Sequence, residues 1–363
     1  MRYSYFNEFA RAANKAQSYG GNNSWDGYTN MVDLGDLVQQ SGTSLLPDYG
    51  GTLLNALNTA VIYQVAGPLR SRATGLACYY SYDGDYDTFK SFATLRSESP
   101  YRWYFQYALT GDLSSEGQQY VRNLALTYGD NKDIQAKKIV TLTEKDLEGY
   151  PLTRTEEGIV VLELGPEVAD RLAGVYCYVA YYDEEYDFSV LLGRDNDIDA
   201  DWEKGIFMDN FRGVWGSIDD TLCYMELVDV ADEYQIYTVP VLLNGEEYTL
   251  SVSYYYATEE YAIQGARKGI DDNGIPDRNL LKLQPGDVIE PMHYVMFENE
   301  DDFSLMAVES LVVTAETSFI EADLGDGMFF FMFEMVDVQG NSFLSDVAIF
   351  EVIGGEIYLW EDD

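Results

Sequence analysis

The first third of the chain carries apolar residues at helical spacing. In residues 3–18 they recur every three or four positions and stop at a glycine pair, which predicts an amphipathic helix. A second short helix is predicted after Asp33, and a third from residue 53 to an end near Gly67 and Pro68. Residues 73–80 are a compact apolar run that predicts a buried strand. Followed by the aromatic stretch at 101–107, this order of elements is typical of α/β architecture.

After about residue 130 the pattern changes to short runs of β-branched and aromatic residues, separated by Gly, Pro, Asn and Asp. The clearest signal is a hairpin at Asn244 and Gly245, because Asn-Gly supplies the two residues with positive φ that a type I′ turn requires. The strands recur at the spacing of a β-sandwich, with little helix between them. The predicted strands are 139–142, 159–164, 175–182, 188–192, 222–228, 235–243, 247–254, 305–314, 328–336 and 347–353.

These patterns divide the chain into three parts. Residues 1–130 are predicted to be an α/β part, and residues 131–290 a β-rich, mainly antiparallel and sandwich-like domain. Residues 291–363 are predicted to contain the last strands of an immunoglobulin-like sandwich. They form either a separate unit or part of the preceding domain.

Composition narrows the classes of partner. The chain has 63 acidic and 22 basic residues, a formal charge of −41, and no Lys or Arg from Leu283 onwards. Such a surface repels nucleic-acid backbones and anionic lipid, because binding to them needs basic groups that replace counterions. The charge fits a protein kept soluble by repulsion, or one that takes up divalent cations. The chain contains no run of about 18 apolar residues, so no transmembrane segment is predicted. Its start also lacks a hydrophobic run of signal-peptide length.

Histidine and cysteine restrict the chemistry further. His293 is the only histidine, so every Ser-His-Asp triad or Cys-His dyad would depend on it, and its apolar neighbours favour a structural role. Cys78, Cys177 and Cys223 are far apart and form no CxxC pair, which disfavours structural zinc. Free buried thiols are expected, and a disulfide between two of them stays an alternative in an exported protein.

Two acidic loops are candidate calcium sites. Asp195, Asp197 and Asp199 place carboxylates at alternate positions, although Ala200 stands at the turn glycine and Ile206 at the bidentate glutamate of an EF-hand. A solvated acidic loop is the alternative interpretation.

The second loop runs from residue 271 to 277. Asp271, Asn273 and Asp277 flank a glycine-proline turn similar to extracellular DxNGIPD calcium loops, with Gly269 where the usual first Asp would be. Calcium is the only cofactor that the sequence suggests.

Three segments together resemble the clostripain family of cysteine peptidases. Residues 28–37, YTNMVDLGDL, are similar to the family's MVDL helix start, and residues 73–80, ATGLACYY, are similar to its GLSIYFP strand. Residues 211–215 and the hairpin at 239–250 resemble its β-rich extension. The resemblance implies that residues 1–130 are the C-terminal part of a caspase-like α/β domain with an incomplete sheet.

The same resemblance assigns no catalytic residue to this chain. The family's catalytic His and Cys lie on strands before the segment that residues 28–37 resemble, so neither role falls on any residue present here. Cys78 stands in the core strand, without a nearby histidine in sequence, and is expected to be a plain buried thiol.

Two functional hypotheses follow. In the first, the chain is the non-catalytic C-terminal portion of a clostripain-like peptidase. It completes the fold, and it meets a peptide or protein substrate only through a preceding catalytic segment or chain. In the second, it is a stand-alone inactive relative that acts as a calcium- or polymer-binding β protein. The resemblance implies an extracellular or cell-surface bacterial setting for both.

Overall fold

A computed structural model describes residues 3–19, 22–23, 27–41, 50–67, 70–82, 84, 86–95, 99–128, 142–147, 150–155, 158–185, 187–269, 277, 279–297, 303–307, 309–337 and 340–359. The chain is mostly β, with helices concentrated before residue 130 and one large sheet after it. The described helices are α1 (Tyr3–Lys15), α2 (Leu34–Gln40), α3 (Gly50–Ala60), α4 (Tyr86–Leu95), α5 (Pro100–Thr110), α6 (Ser115–Tyr128), α7 (Glu144–Leu147) and α8 (Pro166–Ala169).

The strands before residue 220 are β1 (Asn22–Asn23), β2 (Gly27–Tyr28), β3 (Met31–Asp33), β4 (Ala77–Tyr79), β5 (Thr153–Arg154), β6 (Ile159–Glu163), β7 (Leu172–Asp183), β8 (Phe188–Asp195), β9 (Asp199–Asp201), β10 (Ile206–Asn210) and β11 (Val214–Ile218). Those after it are β12 (Thr221–Leu222), β13 (Met225–Val230), β14 (Tyr234–Leu243), β15 (Glu246–Tyr255), β16 (Glu260–Arg267), β17 (Val288–Phe297), β18 (Ser304–Ala307), β19 (Leu311–Val312), β20 (Phe319–Asp323), β21 (Gly327–Asp337), β22 (Ser342–Leu344), β23 (Ala348–Ile353) and β24 (Glu356–Leu359).

The large sheet runs in the order β16, β15, β14, β13, β8, β7, β21, β23 and β24, and β17 to β19 and β22 pair alongside it. Its described pairs are antiparallel except for the short parallel contact of β13 with β8. Strands from after residue 290 are woven into this sheet, since β21 pairs with β7 over ten positions and β17 pairs with β8 and β14. The described strands after residue 290 therefore do not form a sheet of their own.

Two smaller sheets cover the large one. The sheet of β5, β6, β10 and β9 packs on β7, β21 and β23 through a core that includes Phe207, Phe329, Phe331 and Phe333. The sheet of β12, β11 and β20 packs on β13 to β17 through a second core that contains Ile218 and other apolar side chains. Both cores lie between two layers of strands, which is how alternating apolar positions are buried in sandwiches.

The hairpin of β14 and β15 has the predicted turn. Asn244 and Gly245 have φ of 53° and 82°, and the two strands pair in register from Leu243 with Glu246 to Tyr234 with Tyr255. The positive φ at both positions matches the type I′ turn, whose twist fits the right-handed twist of the strands. The prediction at this position is confirmed.

The N-terminal unit, which we define as residues 3–128, consists mainly of helices around the antiparallel pair β3 and β4. The helices predicted near the start, after Asp33 and from residue 53 are present as α1, α2 and α3, but α3 ends at Ala60 rather than near Gly67, so Val61 and Tyr63 lie outside it. The aromatic stretch at 101–107 is part of α5, which Ser99 caps by accepting a hydrogen bond from the Arg102 amide and which ends at Gly111 with φ of 71°. A caspase-like arrangement of this unit stays a prediction.

The strand predicted over residues 73–80 is shorter and less buried than expected. Only Ala77–Tyr79 is extended, and Leu76 and Ala77 are exposed. The apolar run predicts a strand central to a sheet, but it forms a sheet edge. Other strands were not predicted from the sequence, namely β10, β11, β16, β17, β20 and β24. Most of the predicted strand at 139–142 lies outside the described residues.

Candidate functional site

The edge of β4 that faces away from β3 carries no neighbouring strand among the described residues. The amide of Leu34 donates to the Leu76 carbonyl and the amide of Tyr80 donates to the Asn30 carbonyl, so alternate residues of β4 face β3. By the two-residue period of a strand, the amide and carbonyl of Ala77 point outward. Neither group has a hydrogen-bond partner within the described parts of the chain. The outward Tyr79 carbonyl accepts from the Tyr101 hydroxyl, and the Gly75 backbone has a hydrogen bond with the Tyr19 side chain. Ala77 is therefore the residue whose outward backbone is unpaired, and we call Leu76–Cys78 around it the open edge.

Exposed apolar residues lie beside the open edge. Leu76 is 40% exposed, and the segment after α3 exposes Ile62, Tyr63 and Val65 to 96%, 84% and 78%. A side chain added at Gly75 would contact Val61, which places this segment next to the start of β4. Unpaired strand edges with apolar neighbours are sites where another strand pairs. The open edge is therefore the best candidate for a protein-binding site in this unit.

The open edge is rigidly supported from its inner side. Asp33 is fully buried and caps α2, accepting a hydrogen bond from the Asp36 amide at 2.9 Å. The same carboxylate accepts hydrogen bonds from the Thr74 amide and hydroxyl, both at 2.7 Å, and from the Tyr19 hydroxyl at 2.6 Å. A carboxylate with four donors fixes its surroundings. Asp33 therefore holds the segment before β4, β3 and α2 in one arrangement.

Cys78 has no base that would activate it among the described residues. Burial raises the pKa of its thiol, and a hydrogen bond with the Tyr101 side chain opposes this rise only partly. A nucleophilic cysteine needs a positive or basic neighbour that lowers the thiol pKa. The thiol is partly buried, whereas Cys177 and Cys223 are buried, and all three are free. Cys78 has the environment of a structural residue.

His293 lies in the large sheet, on β17, and not in the N-terminal unit. It is 4% exposed, with Nε2 at 3.0 Å from the Leu222 carbonyl oxygen and Nδ1 at 3.5 Å from that of Leu191. Burial lowers the pKa of the imidazole, so the ring is neutral and donates to one backbone carbonyl. Both nitrogens are turned to backbone, as expected of a structural histidine.

The three aspartates of the first acidic loop have different surroundings. Asp195 ends β8 and accepts from the Asp197 amide at 2.6 Å, the Asp197 carboxylate accepts from the Gln235 side chain, and Asp199 is exposed on β9. No group of three or more His, Cys, Asp or Glu side chains is placed to hold a metal ion in the described parts of the chain. Calcium binding at this loop stays a prediction, and the described residues offer no set of side chains that would coordinate the ion.

Most of the second acidic loop, including Asp271 and Asn273, lies outside the described residues. Asp277 is described, and its carboxylate accepts hydrogen bonds from the amides of Lys268 at 3.1 Å and Asn279 at 2.9 Å. Calcium binding by Asp271, Asn273 and Asp277 also stays a prediction.

Asp195 belongs to a partly buried acidic cluster that the sequence did not indicate. Burial raises the pKa of Asp195 to about 7, and the charges of Asp209 and Asp197 add to the rise. Asp209 on β10 also has a raised pKa because of burial, and a side-chain hydrogen bond with Cys177 opposes the rise. These residues meet only because β7 pairs with β8 and the sheet of β10 packs on β7, so no local sequence motif predicts the cluster.

We expect Asp195→Asn to stabilise the protein at pH 8 and to have little effect at pH 4. The folded pKa lies above the unfolded value of about 3.9, so the folded state binds the additional proton and stability falls as the pH rises from 4 to 7. Asparagine keeps the oxygen that accepts from the Asp197 amide and carries no charge. The gain at pH 8 is up to about 4 kcal/mol, measured by urea unfolding.

The matched control is the exposed Asp199→Asn, which should change the unfolding free energy by less than about 0.5 kcal/mol at either pH. If Asp195→Asn gives the same stability change at pH 4 and pH 8, the carboxylate does not titrate as described.

A network around Arg72 joins the N-terminal unit to the large sheet. Arg72 donates from Nε to Asp36 at 3.0 Å and from Nη2 to Asp229 on β13 at 2.9 Å, and it also contacts the carbonyls of Lys15 and Val230. Gln17 joins the same pair, because its amide donates to Asp36 at 2.7 Å and its side chain to Asp229 at 3.0 Å. One guanidinium thus connects α1, α2 and β13.

A second buried arginine bridges four neighbouring strands of the large sheet. Arg194 on β8 lies opposite Glu226 on β13, and its Nη1 is 3.1 Å from Glu226 Oε1. The guanidinium stacks over the Tyr176 ring of β7, 3.4 Å from the ring centroid, and its Nη2 reaches Glu334 Oε2 on β21 at 2.8 Å. The side chains of Arg194, Glu226 and Glu334 are 12%, 2% and 11% exposed. The arrangement is a buried ion-pair triad with a cation–π contact.

Comparison with known proteins gives no family for this chain. No family model, no curated protein and no solved structure matches it. Within the described residues, no helix is both long enough and apolar enough to span a membrane.

Proposed function

We propose that this chain is the non-catalytic C-terminal portion of a clostripain-like cysteine peptidase. Its N-terminal unit pairs, along the open edge, with a strand of the segment that carries the catalytic histidine and cysteine. Residues 172–359 serve as a rigid β platform to which this unit is tied through Arg72. The chain contacts the substrate only through the partner segment and performs no hydrolysis itself. This arrangement fits an extracellular or cell-surface role.

The observation that carries the proposal is the open edge. A peptidase portion that lacks its neighbouring strand should leave one row of outward amides and carbonyls without partners, beside apolar residues that the neighbour would cover. The Ala77 backbone and the exposed side chains of Ile62, Tyr63 and Val65 match that expectation. The similarity of residues 73–80 to the family's GLSIYFP strand is the reason to propose a strand of the preceding catalytic segment as the occupant.

The chemistry of the chain supports the non-catalytic part of the proposal. Burial raises the pKa of the Cys78 thiol, and the single histidine lies on β17 with both ring nitrogens against backbone carbonyls. A cysteine peptidase needs a thiolate within hydrogen-bond reach of a base. Cys78 and His293 do not meet that requirement.

We expect the purified chain to self-associate through the open edge, because a second copy can stand in for the missing strand. Proline at position 77 removes the outward amide without removing a hydrogen bond to β3, and edge positions tolerate proline. Ala77→Pro should therefore weaken dimerisation at least about tenfold in sedimentation velocity. Ala77→Ser, which keeps the amide, should behave like the unaltered chain.

The same preparations test catalysis with short fluorogenic peptides ending in Arg or Lys, in the presence of calcium and a thiol reductant. We expect no turnover, with identical traces for Cys78→Ser. Turnover that Cys78→Ser abolishes would contradict the proposal, and so would a chain that stays monomeric at high concentration with and without Ala77→Pro.

A further inference from the structure

An open groove of about 490 Å³ lies between helices α5 and α6 of the N-terminal unit. The α6 residues that line it recur every three or four positions, so they lie on one face of the helix. The volume falls within the roughly 300–1,000 Å³ that is usual for sites of small ligands. The described lining consists of Trp103 from α5 and Ser115, Glu116, Gln119, Tyr120 and Asn123 from α6.

The chemical nature of this lining separates two kinds of occupant. None of the described lining residues is aliphatic, since all six are aromatic or polar. A groove that receives an amphipathic helix is lined by hydrophobic side chains instead. A sugar ring presents C–H groups on its faces and hydroxyl groups at its edge. Aromatic rings beside amide and carboxylate groups match both features, so the lining favours a saccharide.

The two aromatic side chains form a partly exposed platform. The ring centroids of Trp103 and Tyr120 are 5.1 Å apart, and the ring planes are inclined by 42°. A Cβ atom at Gly117 would lie 3.0 Å from Cγ of the indole, so the missing side chain at this position lets α6 approach Trp103 closely. Tyr120 is 37% exposed, and Trp103 is half-buried. Close packing on Gly117 restricts the indole while both rings stay accessible.

Polar side chains beside the platform are oriented by hydrogen bonds among themselves. Gln119 donates from Nε2 to Asn123 Oδ1 at 2.8 Å, and Ser115 donates from Oγ to Glu116 Oε2 at 2.9 Å. A glutamine amide has a second N–H and a carbonyl oxygen, and a carboxylate has several acceptor positions. Gln119 and Glu116 can therefore hydrogen-bond with hydroxyl groups of a ligand that lies on the rings.

The charge of the groove favours a neutral ligand. Glu116 is the only charged group of the described lining, and hydrogen bonds from its own amide and from the Ser115 hydroxyl lower the pKa of its carboxyl group. It is ionised at neutral pH, and the whole chain has a formal charge of −41, so an anionic ligand is repelled. A single exposed carboxylate attracts a cation only weakly, because water screens it.

We propose, independently of the peptidase assignment, that this groove binds a neutral oligosaccharide. The faces of its sugar rings pack on Trp103 and Tyr120, where weakly positive C–H groups meet the negative faces of the aromatic rings. Its hydroxyl groups hydrogen-bond with Gln119 and Glu116. β-Linked pyranoses with equatorial hydroxyl groups have the flattest C–H faces and are therefore the expected class.

The test uses cellohexaose and N-acetylchitohexaose as neutral β-linked probes in isothermal titration calorimetry. Hexagalacturonate serves as an anionic saccharide, and tetramethylammonium tests the groove as an aromatic site for cations. We expect saturable binding of at least one neutral hexasaccharide at millimolar concentration and none of the two charged probes. Titrations are made at about 0.15 M salt, which screens long-range effects of the acidic surface. Tyr120→Ala removes one ring of the platform and should weaken binding about fivefold or more.

The matched control is Tyr86→Ala on α4. Tyr86 is 45% exposed, and its ring also contacts one neighbouring ring, that of Phe89 at 5.8 Å. Both variants place alanine, a strong helix former, at an exposed helical position, and their melting temperatures show that they fold. The proposal is overturned if neither neutral hexasaccharide binds saturably or if a charged probe binds more tightly than both. It is also overturned if Tyr120→Ala binds as tightly as the unaltered chain, or if Tyr86→Ala weakens binding equally.

Discussion

Arg194→Met should lower the free energy of unfolding by about 3–5 kcal/mol, the cost of breaking a buried ion pair from one side. Methionine fills much of the space of the arginine stem and still packs on the Tyr176 ring. It leaves Glu226 and Glu334 without their cation, although both carboxylates are nearly buried. Ser342 continues to donate to Glu334 at 2.5 Å, but Glu226 loses the guanidinium across the β8–β13 contact.

The loss should depend on pH in a defined direction. Acid neutralises carboxylates, and a neutral carboxyl group without a cation costs far less to bury than a charged one, so the difference between variant and unaltered chain should shrink as the pH falls. Urea unfolding at pH 7.5 and at pH 4.5 measures both values. A deficit of the same size at the two pH values would mean that lost packing, and not the two uncompensated carboxylates, dominates.

Arg212→Met is the matched control for this experiment. Arg212 also pairs with a glutamate, Glu321, but the two side chains are 56% and 34% exposed. An exposed pair contributes about 0–1 kcal/mol, because water screens the charges and already solvates both groups. A loss at Arg212 as large as that at Arg194 would contradict the view that burial sets the difference.

Arg72→Met should weaken the contact between the N-terminal unit and the large sheet and cost about 2–4 kcal/mol. The value lies below the full penalty for a buried pair because the Arg72 side chain is 21% exposed. Its partner Asp36 is fully buried and would keep only the hydrogen bonds that do not involve Arg72. Burial raises the pKa of Asp229, and the variant removes the cation that opposes this rise.

The region that loses protection from amide hydrogen exchange distinguishes Arg72→Met from Arg194→Met. Amide hydrogen exchange should accelerate in α2, β3 and the end of α1, while β14 and β15 of the large sheet keep their protection. Lys90→Met, which removes an exposed pair with Asp87 on α4, should change neither stability nor exchange. Uniform acceleration across the whole chain in Arg72→Met would show that the two parts unfold as one unit and that Arg72 is not a specific tie.

The sequence could predict those elements whose signals are local. The hairpin at Asn244 and Gly245, the start of α2 at Asp33 and the change from helix to strand near residue 130 follow from turn chemistry, capping and periodicity within about ten residues. The structural role expected of His293 rests on its apolar neighbours in the sequence. Composition and the single histidine limit the possible chemistry without any knowledge of which strands pair.

The sequence could not show where chemically important side chains meet. Arg194, Glu226 and Glu334 are 32 to 140 positions apart and come together because β13, β8, β7 and β21 are neighbours in the sheet. The apolar run at 73–80 predicts a central strand, but pairing decides whether such a strand lies inside a sheet or at its edge. Alternate aspartates at 195–199 resemble a ligand set, yet no group of three or more acidic, His or Cys side chains is placed to hold a metal ion in the described part of the chain.

What the sequence by itself determined is the type of many of the main elements, the acidic composition and the single histidine, because these depend on composition and on short-range periodicity. Only the tertiary structure decided the open edge of β4, the buried triad of Arg194 and the groove between α5 and α6. Each of these depends on which elements become neighbours, and that choice is made by the burial of apolar surface over the whole chain rather than by any local pattern.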